Sequence, residues 1–274
     1  MALPPRDLDR LARAFASASP FPHLVLPAFV DPERAARAAA VFPKADASWI
    51  RFVHWNERKY GNSRVETFPP ELRALVEELS GAEFLARLSR VTGIAGLCAD
   101  PDLCGGGLHQ TPRGGFLNIH SDFGTHPRRR QWRRRVNLVL FLNDAWDEAY
   151  GGALELWEGD MSRCVVRVTP RLNTCVIFRT GRDSCHGHPE PLDCPPGRTR
   201  NSLALYYFTE EPSPEPARST VYRPRPGDGV RGLAIHAENA ALRIFDRLRG
   251  AGVVSDEGAS RWLRLFERRA WPGR

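Results

Sequence analysis

Apolar and polar positions alternate in three regimes along the chain: helical spacing at the start, strand-like runs in the middle, helical spacing again at the end. Residues 6–16 place Leu8, Leu11, Ala12 and Phe15 at helical intervals, and Pro20 and Pro22 stop the pattern. His23 to Val30 reads as a strand. Asp31-Pro32-Glu33 then has the form of a helix start, with an N-cap carboxylate and proline at the first helical position, and predicts a helix to about Phe42. Trp49 to Tyr60 alternates aromatic and polar residues, as a strand or loop lining one edge of a core would. Two more helices follow: one opens at Pro69-Pro70-Glu71 with Leu72, Leu75, Val76 and Leu79 as its stripe, and one runs from Glu83 to Val91 after Gly81.

From residue 105 the period changes. Gly114-Gly115 leads into Asn118-Ile119-His120-Ser121-Asp122, and Arg135 to Asn143 is an almost continuous apolar run. Tyr150 to Trp157 begins with a Gly-Gly pair that marks a bend or bulge. Arg163 to Val168 and Asn173 to Phe178 read as two strands joined by a turn at Pro170, and Arg200 to Phe208 as a last buried strand. Glu210 to Pro226 carries too many prolines for a regular helix or central strand, which makes it an extended connector. Residues 235–249 and 256–270 return to amphipathic helical spacing. Their apolar faces need a cover: the core, the N-terminal helices, or a second copy in a homodimer. With 274 residues and 42% hydrophobic content the chain fits one elaborated domain, with N-terminal support over 1–104, a β-core over 105–210 and a connector with helices over 211–274.

A strand sends residues two apart to the same side, so His120 and Asp122 can aim an imidazole and a carboxylate at one point. His186 and His188, in Ser184-Cys185-His186-Gly187-His188, reach that point only if the sheet curls back on itself, as rolled β-architectures do. Two histidines and one carboxylate on one face of a metal leave the other positions open, the arrangement of non-haem Fe(II) oxygenases. His-x-Asp alone recurs by chance. The ordered set is more specific: the histidine strand, the Arg135–Asn143 run, Gly151-Gly152 before an apolar strand, the returning histidines and Arg200 heading the last strand.

In this order the motifs resemble the catalytic core of 2-oxoglutarate- and Fe(II)-dependent dioxygenases of the prolyl 4-hydroxylase-like branch, over roughly residues 105–210. The resemblance implies a mainly β fold with flanking helices (α+β) and a double-stranded β-helix, or jelly-roll, core. It implies Fe(II) held by His120, Asp122 and His186, with His188 as the competing distal ligand. It gives Arg200 to the distal carboxylate of 2-oxoglutarate; Ser202, on the same strand face, is placed to share that carboxylate, and Asn118, on the face of His120, to touch the cosubstrate or the substrate. Cofactors implied are Fe(II), 2-oxoglutarate and O2, with ascorbate as a stimulant. The implied reaction is hydroxylation of an unactivated C–H bond in an amino-acid-derived, peptidyl or natural-product substrate, with release of succinate and CO2. Because Asp122 occupies the carboxylate position, no site is vacated for chloride and hydroxylation is favoured over halogenation.

Charge adds one feature. The net charge is +7, almost all the cations are arginine, and Arg128, Arg129, Arg130, Arg133, Arg134 and Arg135 fall within eight positions. That cluster is a candidate lid over an acidic substrate. A nucleic-acid site is disfavoured because no aromatic interleaving or recognised motif accompanies it; the alternative function is a catalytically silent or RNA/ribosome-associated binding protein that uses the arginine-rich surface. Six cysteines show no paired spacing. Cys185, His186, His188 and Cys194 have residue types that suit zinc but no standard zinc spacing. Met1 to Arg13 has no apolar segment of a signal peptide, and no apolar run approaches the ~18 residues that span a bilayer, which together predict a soluble, cytoplasmic protein.

Overall fold

The strand-like runs of the middle segment wind into two facing antiparallel ladders. The computed structural model describes residues 3, 4, 7–213, 219–230, 232–237, 239 and 240. Its N-terminal part contains α1 (Leu8–Ser17), β1 (His23–Leu26), α2 (Pro32–Ala40), the hairpin β2 (Ile50–His54) and β3 (Glu57–Asn62), then α3 (Pro70–Ser80) and α4 (Ala82–Thr92). The core adds β4 (Cys98–Ala99), β5 (Gly107–Pro112), β6 (Phe116–Ser121), β7 (Trp132–Phe141), β8 (Leu154–Trp157), β9 (Cys164–Val168), β10 (Cys175–Arg179), β11 (Cys185–His188) and β12 (Thr199–Glu210), and β13 (Val221–Tyr222) follows.

One ladder runs β1-β10-β7-β12-β5 and the other β6-β11-β8-β9, with β3 pairing to both β5 and β6. From β5 to β12 the chain passes back and forth between the two ladders, which is the double-stranded β-helix, or jelly-roll, topology. The outer face of the first ladder is apolar and covered by helices: Leu138, Leu140, Leu203 and Leu205 pack with Leu72, Leu75, Leu79 and Leu88. Each such side chain, fully buried, contributes roughly 1.5–3 kcal/mol. Tyr207 extends from the same face and donates to the Leu79 carbonyl at 3.0 Å. Between the ladders lie Phe141, Leu154, Leu156, Val176 and Phe178. The remaining space between them holds polar residues.

Local chemistry explains most boundaries. Asp31 Oδ1 accepts from Arg34 N at 3.0 Å and caps α2, with Pro32 at its first position. Three expectations shift. The first strand ends at Leu26 rather than Val30, because Ala28 turns into the left-handed region (φ 53) and Asn173 clamps Val30 through both N–H and C=O. The strand expected from Arg135 begins at Trp132, so Arg133, Arg134 and Arg135 belong to β7. The proline-rich connector carries β13, whose Val221 and Tyr222 pair with Ser121 and His120 of β6. Residues 229, 230, 232–237, 239 and 240 are helical, whereas the rest of the two C-terminal helices and any dimer contact through them lie outside the described residues. No described helix is long and apolar enough to cross a membrane.

Candidate metal centre and active-site cavity

β11 lies against β6 in a register that sets His186 opposite His120, with ring centroids 4.4 Å apart. Such close approach needs glycine at the next position, since a Cβ on Gly187 would fall 2.7 Å from the Leu117 carbonyl oxygen. Asp122 follows the last residue of β6 and meets both rings: its Oδ1 is 3.5 Å from His120 Nε2 and its Oδ2 is 3.5 Å from His186 Nε2. These three side chains bring one donor atom each within 4.8 Å of one another, and all three are buried.

The tautomers follow from the backbone. His120 Nδ1 is 2.9 Å from the Asn118 carbonyl oxygen and His186 Nδ1 is 2.9 Å from that of Ser184. A carbonyl only accepts, so each Nδ1 carries a hydrogen and each Nε2 is the ring nitrogen that faces Asp122 and is left to bind a metal. Burial pushes His186 down to about 4, keeping it neutral. Burial alone would raise Asp122, but Arg134 and the two histidines outweigh it and hold the carboxyl well below its usual range. Asn137 Nδ2 donates to Asp122 Oδ2 at 2.7 Å, and Arg134 Nη2 stands 3.2 Å from the same oxygen. Two imidazoles whose Nε2 atoms face an oriented carboxylate form a donor set that fits a divalent iron ion.

The cluster opens on a cavity of about 180 Å³ between the ladders, also lined by Lys59, His109, Arg134, Arg200, Ser202 and Tyr206. Arg200 is buried, donates through Nε to the Gly152 carbonyl at 2.7 Å, and lies over the Phe141 ring at 4.8 Å. Burial pushes it down to about 9 with no charged partner among the described residues to offset the cost. It therefore remains a cation at neutral pH that needs an anion. Ser202 lines the same cavity, two residues further along β12. Asn118 is placed elsewhere: its amide donates to Asn56 Oδ1 at 2.9 Å, while its carbonyl orients His120. His188 lines the cavity but stands outside the three-residue donor cluster, and burial followed by the nearby Arg200 holds its pKa well below the usual value.

Several residues escaped the sequence reading. Glu57 and Lys59 of β3 reach the cavity and pair at 3.0 Å, and Tyr222 of β13 reaches it from the connector. The alternation of Trp49 to Tyr60 is visible in the sequence, but not that β3 inserts between β5 and β6 or that the connector pairs with β6. The expected arginine lid is corrected by the pairing pattern. Arg129 is tied to Asp102 at 2.7 Å and stacks on Trp132, while Arg134 is buried inside the cavity wall, so the six arginines do not share one surface. The zinc alternative fails because Cys185 packs with Ile119, Trp157 and Met161, and Cys194 with Trp146 and Leu192, away from the histidines. A second polar cluster, Asp100, Asp102, Cys104 and His126, is a loop lock. His126 Nδ1 accepts from the Arg128 and Arg129 amides at 3.1 and 3.0 Å, so its Nε2 carries the hydrogen and faces Asp100 at 3.2 Å.

Residues 106–208 match the family model of the 2OG-Fe(II) oxygenase superfamily. This stretch is a 2OG-Fe(II) oxygenase domain. The protein is accordingly a 2-oxoglutarate-dependent dioxygenase that uses Fe(II), 2-oxoglutarate and O2. Among solved structures, a prolyl hydroxylase from Trichoplax adhaerens, in complex with a hypoxia inducible factor oxygen degradation domain peptide fragment, is similar with a TM-score of 0.51 at 16% identity, over 74% of this chain and 91% of that one. A Pseudomonas putida prolyl-4-hydroxylase gives 0.48 at 19% identity, over 73% and 99%. HygX from Streptomyces hygroscopicus, with nickel, 2-oxoglutarate and hygromycin B bound, gives 0.45 at 13% identity, over 74% and 87%. The first of these likenesses shows a shared fold. No curated protein matches the chain.

Proposed function

We propose that His120, Asp122 and His186 hold Fe(II), that Arg200 and Ser202 hold the distal carboxylate of 2-oxoglutarate, and that the oxygenase hydroxylates an unactivated C–H bond of a small-molecule or peptidyl substrate. The observation that carries this reading is a single cavity with two histidine Nε2 atoms and a carboxylate at one point, and an uncompensated buried arginine on another wall. When bound, iron and 2-oxoglutarate supply the oxidising chemistry, in which O2 is consumed, the keto acid leaves as succinate and CO2, and a substrate C–H becomes C–OH.

The chain's own residues prepare that chemistry. The Asn118 and Ser184 carbonyls fix both imidazoles with Nε2 inward, and Asn137 fixes the Asp122 carboxylate, so the donor set is oriented in advance. Arg200, locked by the Gly152 carbonyl, presents its remaining N–H groups as a fork that matches both oxygens of a carboxylate. Phe178, packed 4.6 Å from the His186 ring, keeps water from that side of the cluster. A peptide fragment and hygromycin B occupy two of the similar structures, which supports a peptidyl or small-molecule substrate in this cavity.

The test is succinate formation from 2-oxoglutarate with added Fe(II), across a panel of amino-acid, peptide and natural-product substrates. Purified protein is expected to convert 2-oxoglutarate and to accelerate with a substrate, and His120→Ala and Asp122→Ala are expected to lose both turnover and iron binding while staying folded. Normal turnover by either variant overturns the ligand assignment. Undiminished activity in His186→Ala transfers the distal role to His188.

A further inference from the structure

Arg134 is the cation of the cavity wall that the proposed reaction leaves without a counter-charge. Its side chain is 0% exposed, its Nε donates to Asn137 Oδ1 at 2.8 Å, and its guanidinium is bracketed by the rings of Tyr206 and Phe123, at 3.4 and 4.5 Å from their centroids. Nη1 has no hydrogen-bond partner, and Nη2 has only the 3.2 Å charge contact with Asp122. That contact is with a carboxylate proposed to give its charge to iron.

The charges of the lining do not cancel once the cavity is loaded. Among the described residues it contains three cations, Lys59, Arg134 and Arg200, and two carboxylates, Glu57 and Asp122. Burial, then Lys59, lowers His109 to about 3, so it adds no charge at neutral pH. Fe(II) brings two positive charges and doubly ionised 2-oxoglutarate two negative ones. The loaded cavity is left with one positive charge. Pairing says where it resides: Glu57 already holds Lys59 at 3.0 Å, Arg200 takes the distal carboxylate of the keto acid, and iron takes Asp122 and the proximal carboxylate. Arg134 remains. A buried cation without a counter-charge is costly, and in a low-dielectric site an anion compensates it through space even without direct contact with Nη1.

We propose that the substrate supplies this charge as a carboxylate, seated beside Arg134 and the Phe123 and Tyr206 rings, so that the enzyme acts on a carboxylic acid rather than on an uncharged chain segment. The inference rests on the metal and cosubstrate assignments above. It also relocates the acidic-substrate expectation from the exposed arginines to a single buried one.

Benzoate and benzamide differ by one charge and suit an aromatic-lined cavity, and each is titrated calorimetrically into the full-length protein loaded with Mn(II) and 2-oxoglutarate, which does not turn over. Benzoate is expected to bind at least about tenfold more tightly than benzamide. The preference is expected to disappear in Arg134→Met and to survive in Arg134→Lys, both checked for native unfolding temperature. Equal affinities in the unmodified protein, failure of both to bind, displacement of 2-oxoglutarate by benzoate, or a preference that persists in Arg134→Met each overturn the proposal. Failure of Mn(II) and 2-oxoglutarate themselves to bind instead overturns the underlying assignment, so the two are told apart before benzoate is added.

Discussion

Asn137 holds Asp122 in place: its Nδ2 lies 2.7 Å from Asp122 Oδ2, while its Oδ1 accepts from Arg134 Nε at 2.8 Å. One amide thus links the carboxylate of the proposed metal site to the buried arginine behind it. Outer partners of metal ligands typically matter by about 10–100-fold in affinity, because they fix the ligand's orientation before the ion arrives. Asn137→Ala is expected to weaken Fe(II) or Mn(II) binding within that range while the far-ultraviolet spectrum stays native. Metal affinity equal to that of the unmodified protein in a direct titration refutes this role.

Buried charge pairs make acid stability testable at Glu57. The carboxyl accepts from His54 at 2.8 Å and pairs with Lys59 at 3.0 Å. Burial alone would raise its pKa, but Lys59 and His54 overcome that and hold it below the ordinary value. A depressed folded-state pKa means stability that is present above the unfolded value of about 4.3 and is lost as pH falls towards the folded one. Glu57→Gln leaves Lys59 without its partner and is expected to cost about 3 kcal/mol at neutral pH. Denaturant unfolding from pH 7 down to pH 3 is expected to show that difference shrinking below about pH 4. A difference that stays constant across the range rules out the ionised pair as its source.

How far the sequence discloses this site depends on the range of the interaction. His120 and Asp122 share a face by the two-residue period of a strand, a local rule, and His186 needs only that the sheet return. Arg200 is marked by its place at the head of the last apolar run. Lys59 and Tyr222 reach the cavity because β3 and β13 pair with β6, and no local pattern states which strands will be neighbours. Arg134 sits in a run of similar residues, where only the start of β7 at Trp132 distinguishes the buried member from the solvated ones. Asn118 shows how side-chain pairing adds to the local rule. Regular alternation sets it on the face of His120, as a contact for the cosubstrate or the substrate; its amide donates to Asn56 Oδ1 and its carbonyl accepts from His120 Nδ1, contacts that no local pattern states.

Gly152 connects backbone conformation to the proposed cosubstrate pocket. It adopts φ +74, a region that favours glycine, and a Cβ there would lie 2.5 Å from Leu192 Cδ2 and 3.0 Å from Arg200 Cδ. Its carbonyl is the acceptor that locks Arg200 Nε. Gly152→Ala is therefore expected to displace the guanidinium and raise the KM for 2-oxoglutarate several-fold, on the order of 1 kcal/mol, with Fe(II) affinity preserved. A normal KM in a folded Gly152→Ala protein shows that Arg200 does not depend on this carbonyl.

Arg200 itself carries the sharpest expectation. A dicarboxylate entering the cavity loses water at its distal end, and a fixed cation is what offsets that loss. Arg200 is buried, pointed by Gly152, and short of a charged partner among the described residues, so the compensation is mutual: the arginine and the carboxylate each relieve the burial cost of the other. A charge-assisted hydrogen bond contributes roughly 1.5–3 kcal/mol, and each 1.4 kcal/mol is about a factor of ten in affinity. Arg200→Leu is expected to raise the KM for 2-oxoglutarate by at least about tenfold, to raise its dissociation constant on the Mn(II)-loaded protein in parallel, and to leave metal binding nearly intact. Because the substitution also removes a buried cation with no ionic partner, the unliganded variant is expected to unfold at a temperature no lower than the unmodified protein. Arg198→Leu is the control: that arginine is half-buried, does not line the cavity and donates to the Asp144 and Ala145 carbonyls, at 2.9 Å for the latter, so its loss is expected to spare the cosubstrate. If Arg198→Leu produced the 2-oxoglutarate defect and Arg200→Leu did not, the cosubstrate would not lie where β12 enters the cavity.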